Sequence, residues 1–222
     1  MTAAAPAVRT AEDKLAAGVR ALGVVLPDGA RAKLDAYVAL LAKWNRTYNL
    51  TAIREPERMV THHLLDALAV LPDLPPRAQL RVLDVGAGGG VPGIPLAIAR
   101  PQWTVALVDS SHKKATFLTQ AAAELRLSNV TAAATRVEDY APAAPFDVVI
   151  SRAFADLRTF AETSARHLAH DGLLVAMKGV HPDEEIAELP EDIFVIAAPR
   201  LDVPGLDAAR HLIVMRRTEA RA

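Results

Sequence analysis

The chain contains no cysteine, which excludes disulfides, thiolate metal sites and a cysteine nucleophile. It lacks a surplus of either charge: 25 Lys and Arg stand against 26 Asp and Glu, a net charge of −1. That balance does not fit a protein that coats nucleic acid without specificity, although folding can still gather cations onto one face. Aromatic residues are scarce, at 5%, so any core must be mainly aliphatic. No apolar run reaches the ~18 residues needed to cross a bilayer. The opening "MTAAAPAVRTAEDK" has no continuous apolar stretch of the signal-peptide kind. The cytoplasm is therefore the expected compartment, and roughly the first nine residues read as a disordered or fraying tail.

What is present is the balance of a globular protein: 222 residues, 51% hydrophobic and 23% charged, enough for one sizeable core or a core with a small lobe. The first third reads as helical. "TAEDKLAAGVRALG" places Thr10 three residues before Asp13, a capping pattern, and stops at Gly23. Leu34, Tyr37, Val38, Leu41 and Trp44 form an amphipathic stripe, and "EPERMVTHHLLDALAVL" repeats the pattern as a third helix. The proline-rich "PDLPPRAQL" then marks a boundary. Beyond it, "RVLDV", "TVALVD", "NVTAAAT" and "FDVVIS" alternate with the helical "PGIPLAIA", "SSHKKATFLTQAAAELRL" and "FADLRTFAETSARHLAH". Such alternation predicts a parallel sheet covered by helices on both faces. The strand candidates "GLLVAMKG", "DIFVIAAPR" and "HLIVMRR" follow, with one short helix after the first. "PGLD" between the last two suits a reversal, so one antiparallel strand is expected to close the sheet.

Five of the eleven glycines fall between Gly86 and Gly93. Gly88, Gly90 and Gly93 satisfy G-x-G-x-x-G, which keeps a dinucleotide in view, whereas no triphosphate-binding G-x-x-x-x-G-K-[ST] exists. Asp84, two residues before Gly86, would repel a pyrophosphate resting on the next helix N-terminus. Asp109 ends the second strand about 20 residues on, where a carboxylate accepts hydrogen bonds from ribose hydroxyls. A nucleoside with a cationic appendage suits both acids, and S-adenosylmethionine is such a molecule. Among methyl acceptors, carbon 5 of a pyrimidine needs the missing cysteine. Exocyclic base amines are usually served by [ND]-P-P-[FY] after the fourth strand, where this chain has "SRAF". Acceptors with a lone pair already exposed, such as a guanine N7, remain.

The segments "KWNRTYNLTAI", "HHLLDAL", "LDVGAGGGVPGIPLAI", "TRVEDY", "SRAFADL" and "MKG" resemble, in order and over nearly the whole chain, the bacterial 16S ribosomal RNA guanine-N7 methyltransferases. This family is also called glucose-inhibited division protein B. The resemblance implies methylation of N7 of one guanine in the decoding region of the small-subunit RNA, with S-adenosylmethionine as cofactor. It implies an α/β fold, a Rossmann-like class I methyltransferase. The expected sheet has seven strands, mostly parallel with one antiparallel, and residues 1–76 form a helical lobe packed on a core of residues 77–222. In the glycine loop, Gly86, Gly88 and Val91 are expected at the cofactor, with Gly86 and Val91 on its methionine side. Asp109 is expected at the ribose, Val137 and Glu138 beside the adenine, and Arg152 at the mouth. The family tends to have serine where this chain has Ala67, so one hydroxyl is missing.

No acid or base is demanded by such a transfer; Arg152 and Asn45 are the candidates for positioning. Arg46, Asn49, Lys113, Lys114 and Lys178 are candidates for RNA contact, and small-subunit RNA or the small subunit itself is the expected partner. No metal or membrane partner is expected, and the default state is a monomer. Plainer readings stand beside these: Trp44 as core packing, Lys113 and Lys114 as a solvated face, Arg152 paired with Glu138 or Asp84, and His63 with Asp66 as a structural pair between lobes. "HPDEEIAELPED" gathers six acids and is expected to face away from RNA. A small-molecule methyltransferase, a non-catalytic assembly factor and a dinucleotide oxidoreductase are the rival functions.

Overall fold

The computed structural model describes residues 10–218, so the expectation for the N-terminal tail lies outside the described residues. Helix α1 (Ala11–Ala21) starts with the predicted capping box: the Asp13 amide donates to the Thr10 hydroxyl at 3.2 Å, and the Asp13 carboxylate reaches back to Thr10. In α2 (Ala30–Tyr48) the stripe of Leu34, Tyr37, Val38 and Leu41 is buried. The segment read as a third regular helix is instead α3 (Pro56–Met59), a π-helical turn (Val60–Leu65) and α4 (Asp66–Leu68). The Asp66 amide bonds the carbonyls of Thr61 and His63 and passes over His62. A widened turn of this kind leaves a backbone acceptor free for a partner outside the helix.

The sheet comprises β1 (Arg81–Val85), β2 (Thr104–Asp109), β3 (Val130–Ala134), β4 (Phe146–Arg152), β5 (Leu168–Lys178), β6 (Ile193–Ala197) and β7 (His211–Arg217), in the order β3-β2-β1-β4-β5-β7-β6. The first five run parallel, and β7 is antiparallel to both β5 and β6. One antiparallel strand was the expectation, but it lies inside the sheet and β6 forms the edge. Between the strands run α5 (Gly93–Ala99), α6 (His112–Glu124), α7 (Leu157–Ser164) and the short α8 (Asp183–Ala187). The sequence pattern extends the α7 helix to His170. It stops earlier, because residues 165–167 tighten into a 3₁₀ turn and β5 begins at Leu168.

Alternate strand residues point to opposite faces, and each face has its own cover. Val82, Val105, Leu107, Val148 and Ile150 share one core with α5, α6 and the N-terminal helices, including Leu15, Leu34 and Leu64. Leu83, Val85, Val108, Val149 and Leu174 pack with Leu157 and Phe160 of α7. Trp44 is half-buried against the first core, its ring 5.6 Å from Phe117 of α6, so the packing reading of this residue holds. Ala67 is fully buried. The strand order reverses between β1 and β4, and in parallel sheets a ligand crevice forms beyond the strand ends at such a point.

Candidate active site

Beyond the C-terminal ends of β1, β2, β4 and β5 lie two adjoining cavities. One, of about 280 Å³, is bounded by Val85, Asp109, Val137, Glu138 and Phe154; the other, of about 500 Å³, by Leu50, Gly88, Val91, Arg152, Lys178 and Arg210. They share Gly86, Lys114 and Ala153. All seven residues expected at the cofactor line one or the other. A larger hollow of about 720 Å³ lies at the far end of β5, around His170, Asp192 and Arg217, and includes none of them.

The glycine loop bends where only glycine is relaxed: Gly86 and Gly88 have φ of +68° and +57°. Gly93 serves packing, since a Cβ there would lie 2.2 Å from Leu107 Cδ2 and 2.8 Å from Asp84 Oδ2. The Gly86 and Ala87 amides tie the loop to β2 by donating to the Val108 carbonyl at 2.8 and 3.1 Å, and among the described residues three contacts with side chains hold it as well. The Gly88 amide donates to Asp109 Oδ2 at 2.9 Å, the Gly93 amide donates to Asp84 Oδ2 at 2.8 Å, and the Tyr37 hydroxyl donates to the Gly89 carbonyl. In the sequence Tyr37 stands out only as part of an apolar stripe. Its polar tip on that stripe is the one available signal.

The two acids therefore differ in role. Asp109 keeps one edge at the 280 Å³ cavity while its Oδ1 accepts from the Ser111 amide at 2.9 Å. Asp84 lies beneath the loop, has no exposed surface and lines neither cavity. Among the described residues its Oδ1 has no hydrogen-bond partner. Burial raises its pKa to about 7, offset in part by the Gly93 amide and by Arg152. The expectation that Asp84 meets the ligand is thus corrected: it holds α5 against the sheet and is only partly charged at neutral pH.

Arg152, at the end of β4, fills the acceptor freed by the π turn. Its Nη1 donates to the His62 carbonyl at 2.8 Å and to Asp66 Oδ2 at 3.2 Å. Asp66 is buried and takes a second guanidinium on Oδ1, from Arg210 Nε at 2.9 Å. The partner of Arg152 is therefore Asp66, not Glu138 or Asp84. His63 does not pair with Asp66: its Nδ1 lies 3.3 Å from Arg152 and its Nε2 meets the Thr51 hydroxyl at 2.9 Å. Burial, then the Arg152 charge, depress the His63 pKa to about 4, so the ring is neutral. Arg210 escapes a sequence reading because it precedes a strand 144 residues from Asp66.

Asn45 lines neither cavity. Its side chain is buried, donating to the Ile53 carbonyl at 3.1 Å and accepting from the Thr51 amide at 2.9 Å. It shapes the loop that delivers Thr51 to His63. Arg46 and Asn49 are exposed at the end of α2, and Lys113 is exposed without lining either cavity. Lys178 lines the larger cavity but pairs with Glu185 at 2.7 Å. Through Glu185, the acidic segment thus meets one cation of that cavity. Ala153 is the remaining feature: an exposed alanine at φ +59°, an unfavourable conformation for a residue with a Cβ, at the junction of the cavities.

Among solved structures, the fold matches that of coclaurine N-methyltransferase bound to N-methylheliamine and SAH, with a TM-score of 0.54 at 13% identity, over 89% of this chain and 69% of that one. Sequence relatives are much nearer. The chain is 52% identical over 202 residues to ribosomal RNA small subunit methyltransferase G of Laribacter hongkongensis, covering 91% of this chain and 96% of that protein. It is 52% identical over 215 residues to the protein of the same name from Burkholderia ambifaria, covering 94% of each. A family model described as rRNA small subunit methyltransferase G matches residues 30–213. With that match spanning most of the chain and the methyltransferase sheet beneath it, the chain belongs to the rRNA small subunit methyltransferase G family.

Proposed function

We propose that this protein transfers a methyl group from S-adenosylmethionine to N7 of one guanine in the decoding region of 16S ribosomal RNA, acting as a cytoplasmic monomer. The observation that carries the reading is the pair of cavities joined over Gly86. One is a small pocket beside the Asp109 carboxylate, and the other is wider and lined by Lys114, Arg152, Lys178 and Arg210. The first suits a nucleoside and the second a methionine moiety with an approaching anionic polymer. The donor set fits the cofactor: Asp109 offers carboxylate lone pairs for ribose hydroxyls, and Val137 is buried where it can flank an adenine. A pyrophosphate would meet no comparable cradle beside that acid.

When bound, the cofactor supplies an electrophilic methyl group on a sulfonium. A guanine N7 is nucleophilic without deprotonation, so the residues need only bind, orient and exclude water. Orientation of this kind contributes ~7–11 kcal/mol to barrier lowering. The Asp109–Gly88 contact, the Tyr37–Gly89 contact and the clamp of Asp66 on two arginines are rigid devices suited to that task. Neutral His63 has no role as an acid in this scheme. Tritiated methyl transfer to small subunits from a strain lacking the endogenous enzyme, followed by mapping of the labelled base, tests the proposal. Label at a guanine N7 is expected, and absence of label from the RNA overturns it.

A further inference from the structure

Lys114 is the only cation among the described residues that lines both cavities and is paired with an acid of the nucleoside pocket. It stands in the first turn of α6, with Nζ 3.7 Å from Asp109 Oδ2 and its side chain 42% exposed. The other three cations of the larger cavity are held elsewhere, Arg152 and Arg210 by Asp66 and Lys178 by Glu185. We infer that Lys114 senses the charge on the cofactor sulfur, leaving Asp109 for a substrate phosphodiester when the sulfur is cationic and returning when it is neutral.

The inference rests on the proposed function and follows from placement. A nucleoside in one cavity and its methionine part in the other would bring the sulfur that joins them to the residues both cavities share, Lys114 among them. Asp109 Oδ2 already accepts the Gly88 amide, so a ribose hydroxyl competes directly with the ammonium. A sulfonium adds repulsion that a thioether does not. In the transfer, the N7 lone pair forms the new N–C bond and the C–S bond breaks with its electrons left on sulfur. The positive charge thereby moves from sulfur to the base, with no proton transferred. Lys114 can then return to Asp109, and the hold on a nucleotide that has itself become cationic weakens at the moment of product release.

The test compares the wild type with Lys114→Gln and Lys114→Arg by calorimetry, using two unreactive ligands. Sinefungin carries an ammonium where the sulfonium would be, and S-adenosylhomocysteine is neutral there. Lys114→Gln is expected to favour sinefungin over S-adenosylhomocysteine by about two- to fivefold relative to wild type, the size of a partly exposed charge interaction. By reciprocity of coupling, the wild type should bind unmodified small subunits more tightly with sinefungin than with S-adenosylhomocysteine by a similar factor. Lys114→Arg should retain this preference and Lys114→Gln should lose it. Equal ligand ratios in wild type and Lys114→Gln overturn the inference. Failure of the wild type to bind either ligand overturns the proposed function instead.

Discussion

Replacing Asp84 by asparagine isolates one buried charge. The carboxyl has no exposed surface, one oxygen without a partner among the described residues and a pKa raised from 3.8 to about 7. The folded state therefore holds this proton more tightly than the unfolded chain does. Below pH 4 the group costs the fold nothing; as pH climbs through 7 the native state is increasingly penalised, and the penalty levels off above that. At about 1.4 kcal/mol for each tenfold change in proton affinity, the full penalty is about 4 kcal/mol, of which about 3 kcal/mol accrues between pH 5 and pH 8. The asparagine side chain would keep the acceptor for the Gly93 amide and does not titrate. Its own cost, an amide group placed in a fully buried site, is the same at every pH. Melting both proteins from pH 5 to pH 8 should show Asp84→Asn gaining on wild type by roughly 6–12 °C across that range, at ~2–4 °C per kcal/mol for a chain of this size. Every other titrating group is common to both, so the change in the gap belongs to Asp84. A gap of constant size would mean that Asp84 is as acidic folded as unfolded, and the account of a carboxyl held beneath the loop would be wrong.

Tyr37→Phe removes the hydroxyl that holds the Gly89 carbonyl while leaving the ring in the core. It should lower stability by about 1 kcal/mol and weaken S-adenosylhomocysteine binding several-fold by calorimetry; unchanged affinity would show that the loop holds its shape without α2. Gly93→Ala drives a Cβ to 2.2 Å from Leu107 Cδ2, and overpacking of this kind costs about 1–3 kcal/mol. Its melting temperature should fall below that of wild type even without ligand, and an unshifted melt would show that Leu107 yields freely.

Local chemistry makes some features legible. Thr10 and Asp13 announce the first helix start because a capping box needs only neighbours in the chain. The strands from β1 to β4 show themselves as β-branched runs, and Asp109 is placed by its spacing from the glycine loop. Other features are hidden because their partners are distant in sequence. Asn45 looks like a polar residue awaiting a ligand, yet the turn through Thr51 and Ile53 uses both ends of its amide. The boundary between α7 and β5 is misplaced by pattern alone because "SARHLAH" carries no breaker, and the sheet's pairing of Phe146 with Leu168 decides where the helix stops.

By itself, then, the sequence determined the alternation of strands and helices, the glycine loop and the acid at the end of β2. These follow from backbone sterics, side-chain periodicity and spacing along one stretch of chain. Only the tertiary structure decided which charges are neutralised. It buried Asp84 beneath the loop, drew Arg152 and Arg210 onto the Asp66 carboxylate, satisfied Lys178 with Glu185 and left Lys114 beside Asp109. Hydration and Coulomb energies depend on distance through space and on access of water, and neither quantity is written in the order of residues along a chain.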